Sequence, residues 1–187
     1  GPSGSGKTTL LKSLFQYKDL KKKIVRCASF TTRPRRLGEK KGEDYFFITE
    51  ERFKRYLKAK KILEWTRYLG YYYATPRDFV DRHLELGKYI LLCLDLRGAA
   101  RIKRLYPESA VTVFVQPPSF SALSERIKNR CLKTAAGEIR RRLALARGEL
   151  LYIKKYDYAI LNKDLYKASR KLKEIILKEA RLRRCGS

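Results

Sequence analysis

One residue type and several sequence patterns are missing from this 187-residue chain, and each absence excludes some classes of protein. Methionine does not occur, so there is no initiator residue, and we expect the amino terminus to be trimmed. No apolar run approaches the ~20 residues of a membrane-spanning helix, and no segment resembles a secretory signal. We therefore predict a cytoplasmic protein that has no membrane partner.

The cysteines also lack a recognisable pattern. Cys27, Cys93, Cys131 and Cys185 are widely separated, without C-x-x-C spacing. Neither a zinc site nor a disulfide framework is indicated. We expect ordinary thiols.

Acidic residues are scarce, because 19 Asp and Glu accompany 45 Lys and Arg, for a formal charge of +26. Such a field favours anionic ligands and attracts nucleic acid without specificity. The basic residues are spread along the whole chain, which is typical of a solvated surface. No specific nucleic-acid partner is expected, and an RNA-binding protein is a competing hypothesis on charge alone.

The chain opens with its most informative motif. GPSGSGKT fits G-x-x-x-x-G-K-[ST], in which backbone N–H groups cradle phosphates, a lysine reaches the β- and γ-phosphates and a hydroxyl holds Mg²⁺. The apolar spacing that follows predicts a helix whose N-terminus faces the phosphates. The strand expected before such a loop is missing, so the first core strand is expected to be absent. The ATP-phosphate candidates are Gly4, Ser5, Gly6, Lys7, Thr8 and Thr9.

Strands and helices alternate along the rest of the chain. Apolar runs predict strands over 23–30, 44–49, 89–96, 110–117 and 156–162, and a hairpin over 62–75 that turns at Gly70. Helical spacing and end signals predict helices over 49–60, 76–86, 119–129, 139–155 and 165–180. This alternation behind a phosphate loop predicts an α/β fold with a parallel sheet and ligands at the carboxyl ends of its strands.

Eight motifs then follow one another in a fixed order: GPSGSGKT, SFTTRPRRLGE, GEDYFF, LEW, GYYYAT, LDLRGA, VQPPS and YDYAILN. Their order and spacing resemble the guanylate kinase family across essentially the whole chain. The resemblance implies a three-layer P-loop fold with a five-stranded parallel sheet, helices on both of its faces, a GMP-binding insert and a lid. The implied parts of this single domain are a core (1–28, 76–125 and 143–187), the insert 29–75 and the lid region 126–142.

The activity that the resemblance implies is ATP-dependent phosphorylation of GMP, and of dGMP, in purine nucleotide metabolism. It also assigns residues to the phosphate of the acceptor nucleotide: Ser29, Arg33, Arg36, Tyr45 and Tyr73. Planar guanidinium groups bind phosphate oxygens in bidentate fashion, so the paired arginines suit a doubly charged monophosphate. A merely solvated basic loop is the alternative, and Arg35 is expected on the surface.

Guanine differs from adenine in its N1–H and N2 amine donors and its O6 acceptor. Glu64, in the family's EW motif, is implied to accept from both donors, because unpaired buried polar groups would penalise adenine. Thr75 matches a small hydroxyl residue that serves O6, and Asp95 assists. A helix N-cap before Pro76 is an equally natural role for Thr75.

Phosphoryl transfer depends mainly on positioning and charge neutralisation. Lys7 is therefore a catalytic candidate, together with the lid arginines that the resemblance implies: Arg126, Arg130 and Arg142. Solvated helical arginines are the alternative for these three. Asn162 matches a position near the adenine of ATP, although an asparagine at a strand end is often a turn residue.

Mg²⁺ is the expected cofactor, with Thr8 and Asp95 as candidate ligands. Cys93 replaces an acidic residue of the family's LDID motif, and Asp95 is expected on the same strand face two residues on. The family's RGTE lid segment appears as RCLK at 130–133, and its YYGT as YYAT. These departures keep two other hypotheses open: a non-catalytic guanylate kinase-like binding module, and a kinase of the same fold with another phosphorylated acceptor.

Overall fold

The computed structural model describes residues 1–130 and 136–184. They form two compact units, one of Lys21–Arg104 and one of Gly1–Leu20 with the described residues from Leu105 onward. In chain order the elements are α1 (Lys7–Leu14), α2 (Lys18–Lys21), β1 (Ile24–Arg26), β2 (Ser29–Thr31), β3 (Tyr45–Phe47), α3 (Glu50–Lys58), β4 (Ile62–Tyr68), β5 (Tyr71–Pro76), α4 (Arg77–Glu85), β6 (Tyr89–Leu91), α5 (Leu96–Leu105), β7 (Val113–Gln116), α6 (Phe120–Arg130), α7 (Ala136–Leu150), a 3₁₀ turn (Ile153–Lys155), β8 (Tyr158–Leu161) and α8 (Leu165–Arg184). Within the described ranges, none of the helices has the length and apolar character needed to cross a bilayer.

A four-stranded sheet, ordered β3-β2-β5-β4, dominates the unit Lys21–Arg104. β2 and β3 are parallel, whereas β5 runs antiparallel to both β2 and β4. The hairpin between β4 and β5 turns at Leu69 and Gly70, which both have positive φ, as tight hairpin turns require. The hairpin predicted over 62–75 is confirmed, and β1 and β6 form a separate parallel pair in the same unit.

Side-chain alternation gives this sheet two chemically different faces. Phe30, Tyr72 and Ala74 point to one face, where they pack with Phe53 of α3. The residues between them point to the other face, which we call the polar sheet face: Ser29, Thr31, Tyr45, Glu64, Tyr73 and Thr75. The period of two therefore separates an apolar core from a row of hydroxyl and carboxylate groups.

Helix α3 covers the apolar side of the sheet, and Thr49 sets its start. The Thr49 hydroxyl accepts a hydrogen bond from the Arg52 amide at 3.2 Å, which is the geometry of an N-cap. Phe53 is 2% exposed and stacks on Tyr72 with ring centroids 4.4 Å apart. The helix predicted from Thr49 is thus confirmed, with its last residue at Lys58.

The other unit pairs β7 with β8 in parallel. Helix α1 packs on α8, where the Ser13 hydroxyl donates to Ser169 Oγ at 2.8 Å. Helices α6 and α7 pack around buried Leu123, Ile127 and Ala146. The phosphate loop leads directly into α1, so the packing of α1 on α8 holds the loop in place.

Two strand predictions differ from the structure in extent. The run 23–30 is divided into β1 and β2, which belong to different sheets, with Cys27 between them. The strand predicted over 89–96 ends at Leu91, and α5, which the sequence analysis did not predict, begins at Leu96. Cys93 and Asp95 lie in the connection between β6 and α5, so the expectation that they share a strand face is wrong. An apolar run reports burial, and burial alone does not fix the backbone conformation.

The predicted α/β class is confirmed, and the other predicted elements are present with shifted ends. In the described part of the chain, the parallel pairs β1–β6 and β7–β8 are separate two-stranded sheets rather than one five-stranded sheet. The expected division into core, insert and lid stays a prediction.

Candidate functional site

The phosphate-binding loop leads into the first turn of α1. Gly6 is the N-cap of α1 with a φ of 89°, and Gly4 has a φ of 85°. A Cβ at Gly6 would lie 2.3 Å from Asn162 Nδ2, so both conformation and space exclude a larger residue there. The first N–H groups of a helix lack intrahelical acceptors and carry the positive end of its dipole. This end of α1 is therefore suited to an anion.

Two side chains of the loop have unusual surroundings. Lys7 Nζ donates to the carbonyls of Gly1 and Pro2, at 2.5 and 2.8 Å, so the ammonium group lies along the loop. Ser5 Oγ is buried and, among the described residues, has no hydrogen-bond partner. Burying a hydroxyl without a partner is unfavourable, and a phosphate oxygen would remove that penalty.

The candidate lid arginines differ in their placement. Arg126 is exposed on α6, whereas Arg142 on α7 is only 6% exposed and donates from Nε and Nη2 to Glu138 Oε1. The alternative of a solvated side chain is therefore wrong for Arg142. Arg130 ends α6, and its side chain lies outside the described part of the chain, as do residues 131–135 of the RCLK region.

One end of the polar sheet face carries a group that we call the arginine cluster: Arg33, Arg36, Glu39, Tyr45 and Tyr73. The sheet register pairs Ser29 with Tyr45 and Thr31 with Tyr73, which brings predicted phosphate ligands onto neighbouring strands. The Tyr45 and Tyr73 rings meet edge to face at 5.9 Å, and the Arg33 guanidinium carbon lies 5.5 Å from the centre of the Tyr45 ring.

Glu39 holds this cluster together, and the sequence analysis missed it. Arg33 Nη2 donates to both Glu39 carboxylate oxygens at 2.7 and 2.9 Å, and the Arg36 amide donates to Oε2 at 2.9 Å. Burial opposes the charge on Glu39, but the hydrogen bond and charge of Arg33 together with the Arg36 amide lower its pKa. A usable signal existed, since Glu39 is the only acidic residue of RPRRLGEKK.

The opposite pair of strands carries a second group, which we call the carboxylate cluster: Glu64, Thr75, Asp95 and Gly98. Glu64 and Thr75 are cross-strand partners, and Thr75 Oγ1 donates to Glu64 Oε1 at 2.6 Å. Asp95 Oδ1 accepts from the Gly98 amide at 2.8 Å and so caps α5. A Cβ at Gly98 would lie 2.8 Å from Glu64 Oε2, so Gly98 allows α5 to approach the carboxylate.

The position of Thr75 decides between its two predicted roles. The N-cap of α4 is Pro76, and the Thr75 hydroxyl points to Glu64 instead of to the helix. The N-cap interpretation of Thr75 is therefore wrong. The structure brings Glu64, Thr75 and Asp95 together, as the sequence analysis expected.

Glu64 is 3% exposed and its ionised form is poorly compensated. Burial raises the pKa of Glu64 to about 6. The Thr75 hydrogen bond opposes that shift, the negative charge of Asp95 adds to it, and the positive charge of Arg101 opposes it more weakly. The carboxylate is thus able to accept from donors that a ligand brings. Burial, followed by the Glu64 charge, also raises the pKa of the neighbouring Cys27 thiol, to about 12.

Mg²⁺ prefers oxygen ligands and is usually held by one or two protein groups together with substrate phosphates and water. Thr8 is half-buried in the first turn of α1, and Asp95 offers a carboxylate in the unit Lys21–Arg104. In residues 1–130 and 136–184, no three His, Cys, Asp or Glu side chains gather as a metal site. The Thr8 hydroxyl and the Asp95 carboxylate are each oxygen ligands of the kind that Mg²⁺ binds.

Comparison with known proteins identifies the family of this chain. Residues 1–179 match the family model described as guanylate kinase. The guanylate kinase of Caldanaerobacter subterraneus is 42% identical over 96% of this chain and 84% of its own length, and that of Bacillus subtilis is 38% identical over 96% and 86%. A crystal structure of guanylate kinase from Anaplasma phagocytophilum superposes with a TM-score of 0.77 at 30% identity, covering 92% of this chain and 81% of its own. A phosphate loop, an arginine cluster and a buried carboxylate within one such sequence pattern have a common explanation: the chain belongs to the guanylate kinase family.

Proposed function

We propose that this protein is a guanylate kinase, which transfers the γ-phosphoryl group of ATP to GMP and yields ADP and GDP. The observation that carries the proposal is the polar sheet face, which presents an arginine cluster and a carboxylate cluster from one four-stranded sheet. A nucleoside monophosphate has the matching two ends, a doubly charged phosphate and a base edge.

The arginine cluster suits the acceptor's phosphate. Arg33 is oriented by Glu39, so its remaining N–H groups are presented in a fixed direction. Arg36, Tyr45, Tyr73 and Ser29 would add donors around the same phosphate. A preorganised guanidinium group loses little conformational entropy when it binds an anion.

The carboxylate cluster suits guanine. Glu64 would accept from N1–H and the N2 amine, and Thr75 would contact O6, with Asp95 assisting. Adenine offers no hydrogen at N1, so the buried carboxylate would keep only its Thr75 hydrogen bond and lack the donor that guanine brings. Guanine would therefore supply hydrogen-bond donors to the Glu64 carboxylate, which has few of them within the protein.

The phosphate loop suits the donor. Backbone N–H groups at the start of α1 and the Lys7 ammonium would bind the ATP phosphates, and a GMP phosphate oxygen would form a bond to the γ-phosphorus as its bond to ADP breaks. Arg126, Arg130 and Arg142 would neutralise the charge that spreads over the transferring group. Thr8 and Asp95 stay the candidate ligands of Mg²⁺, and the ion would supply positive charge that offsets the charge of the phosphates. Cytoplasmic localisation stays a prediction.

The test is steady-state ADP release from ATP and Mg²⁺ with GMP as the acceptor, compared with AMP, CMP and UMP. We expect turnover with GMP and a fall in kcat of at least about 10²-fold for Lys7→Ala, because Lys7 lies in the loop that receives the phosphates. Lys18→Ala is the matched control, since Lys18 is an exposed lysine of the same unit. Turnover with another acceptor in place of GMP, or full activity of Lys7→Ala, would overturn the proposal.

A further inference from the structure

Asn162 lies beside the phosphate loop and contacts its backbone. The residue follows β8 directly, is 7% exposed, and its Nδ2 donates to the Ser5 carbonyl at 2.8 Å. A carbonyl oxygen can only accept, so this contact fixes which end of the carboxamide faces the loop. The side chain therefore contacts the loop at Ser5, directly before the Gly6 N-cap of α1.

The space between this side chain and the loop is small. A Cβ at Gly6 would lie 2.3 Å from Asn162 Nδ2, although Gly6 and Asn162 are distant in sequence. The Ser5 carbonyl and the left-handed Gly6 together determine how the next N–H groups point. A displacement of Asn162 would therefore change the direction of the phosphate-binding amides.

The support is itself well anchored. The Asn162 amide donates to the Gln116 carbonyl at 2.8 Å, which extends the parallel β7–β8 ladder by one hydrogen bond. Strand β8 pairs with β7 over four residues up to Leu161. The Asn162 side chain is short and its backbone is hydrogen-bonded, so it has little conformational freedom. The loop is therefore held by a side chain whose position the sheet fixes.

We propose that Asn162 is a positioning residue of the phosphate loop, and that it acts on the donor's phosphates through the Ser5 carbonyl rather than through a contact with adenine. The inference rests on the proposed function for the identity of the donor. It predicts that Asn162 matters for any polyphosphate that the loop binds, with or without a base. A residue that contacts adenine would matter only for the nucleotide.

The experiment measures binding of ATP and of inorganic tripolyphosphate by calorimetry to the unaltered chain, Asn162→Leu and Asn162→Ala. Losing the amide leaves a buried carbonyl unpaired and the loop less ordered, so both affinities are expected to fall by about ten-fold, and by the same factor. Gln16→Leu is the matched control, because Gln16 is an exposed amide beyond the end of α1 in the same unit. Its affinities for both ligands are expected to stay unchanged.

Steady-state kinetics and thermal unfolding separate positioning from a general structural role. The KM for ATP is expected to rise about ten-fold in both Asn162 variants, with the KM for GMP unchanged. A lower unfolding temperature with an unchanged KM for ATP would overturn the proposal. Unchanged tripolyphosphate affinity beside weakened ATP would overturn it in favour of an adenine contact. If the unaltered chain binds neither ligand, the donor site of the proposed function fails as well, which is a distinct result.

Discussion

Two glutamates of the unit Lys21–Arg104 have pKa values that are shifted in opposite directions. Glu39 of the arginine cluster accepts from Arg33 and from the Arg36 amide, which lower its pKa despite burial. Glu64 of the carboxylate cluster is buried with a hydroxyl and near Asp95, and its pKa is raised to about 6. One carboxylate is compensated by the protein itself, and the other is left to be compensated by a ligand.

This difference indicates that the arginine cluster contributes to the stability of the free protein, whereas the carboxylate cluster contributes to the choice of ligand. The Arg33–Glu39 pair is complete within the fold, so it orders the loop that carries both arginines. The ionised Glu64 lowers the stability of the free protein, and that same deficit makes a ligand with two adjacent donors bind selectively.

The largest effect is expected for Arg33→Ala, which removes the cation from a buried pair. Glu39 would lose its partner guanidinium and keep only the Arg36 amide and charge, so the free energy of unfolding should fall by about 3 kcal/mol. The KM for GMP should also rise, by about 10²-fold, because the charged hydrogen-bond donor that we propose for the GMP phosphate is lost. Denaturant unfolding and GMP titration of ADP release measure the two effects.

Arg35→Ala is the control for that variant. Arg35 lies two residues away in the same loop and is exposed, so it should change neither quantity appreciably. An Arg33→Ala protein with normal stability would show that Glu39 is not dependent on its partner.

Glu64→Gln should have the opposite effect on stability. The pKa of Glu64 in the folded protein, about 6, lies above its ordinary value of 4.5. Its contribution is therefore fully present below pH 4.5 and is lost as pH rises through about 6. At pH 8 the glutamine variant should be more stable than the unaltered chain by about 2 kcal/mol, with no difference at pH 4. Denaturant unfolding over this pH range measures the gain.

Glu39→Gln is the paired control, since the pKa of Glu39 is lowered and its stabilisation should be present at neutral pH and lost in acid. At pH 8 the two glutamine substitutions should therefore change the free energy of unfolding in opposite directions. Equal losses of stability in both would contradict the comparison between the clusters.

Gly98→Ala tests how closely the first turn of α5 must approach Glu64. The added Cβ would lie 2.8 Å from Oε2, so the carboxylate or the helix must shift, and the KM for GMP should rise about ten-fold. The KM for ATP should not change. Gly148→Ala, in α7 with open space around its Cβ position, is expected to leave the KM for GMP unchanged. An unaffected Gly98→Ala enzyme would mean that Glu64 does not need its observed position.

Thr75→Val should give the smallest effect. It removes the donor that lowers the pKa of Glu64, so the KM for GMP, expected to rise in the unaltered enzyme below about pH 6, should begin to rise at higher pH. The free energy of unfolding should fall by about 1 kcal/mol. Thr75→Ser keeps the hydroxyl and should preserve the pH profile of KM; a displaced profile in both variants would contradict this role for the hydroxyl.

The polar sheet face was accessible from the sequence because motif and alternation agree there. GYYYAT places Tyr73 and Thr75 two residues apart, and LEW places Glu64 on a facing strand, so a hairpin turning at Gly70 brings them to one face. The hydrogen bond between Thr75 and Glu64 follows from that register. Local pattern was sufficient because the hairpin is a short-range structure.

Features that depend on chain segments distant in sequence, or on a change of sheet, were not accessible. The approach of Gly98 to Glu64 needs α5, whose start lies within a run that predicted a strand. The break at Cys27 divides one apolar run between two sheets, and no turn residue marks it. The contact of Asn162 with Ser5 joins opposite ends of the sequence, so only the folded chain reveals it.

The burial of Cys27 gives this protein an internal chemical reporter. Because burial raises the pKa of Cys27 to about 12 and the side chain is 3% exposed, very little thiolate is present at neutral pH and alkylating reagents should spare it in the folded state. The rate at which Cys27 is alkylated would then report how often the segment that joins β1 to β2 opens. Because Glu64 contributes to the shift, the alkylation rate in the presence of GMP would follow the protection of the carboxylate cluster without any measurement of turnover.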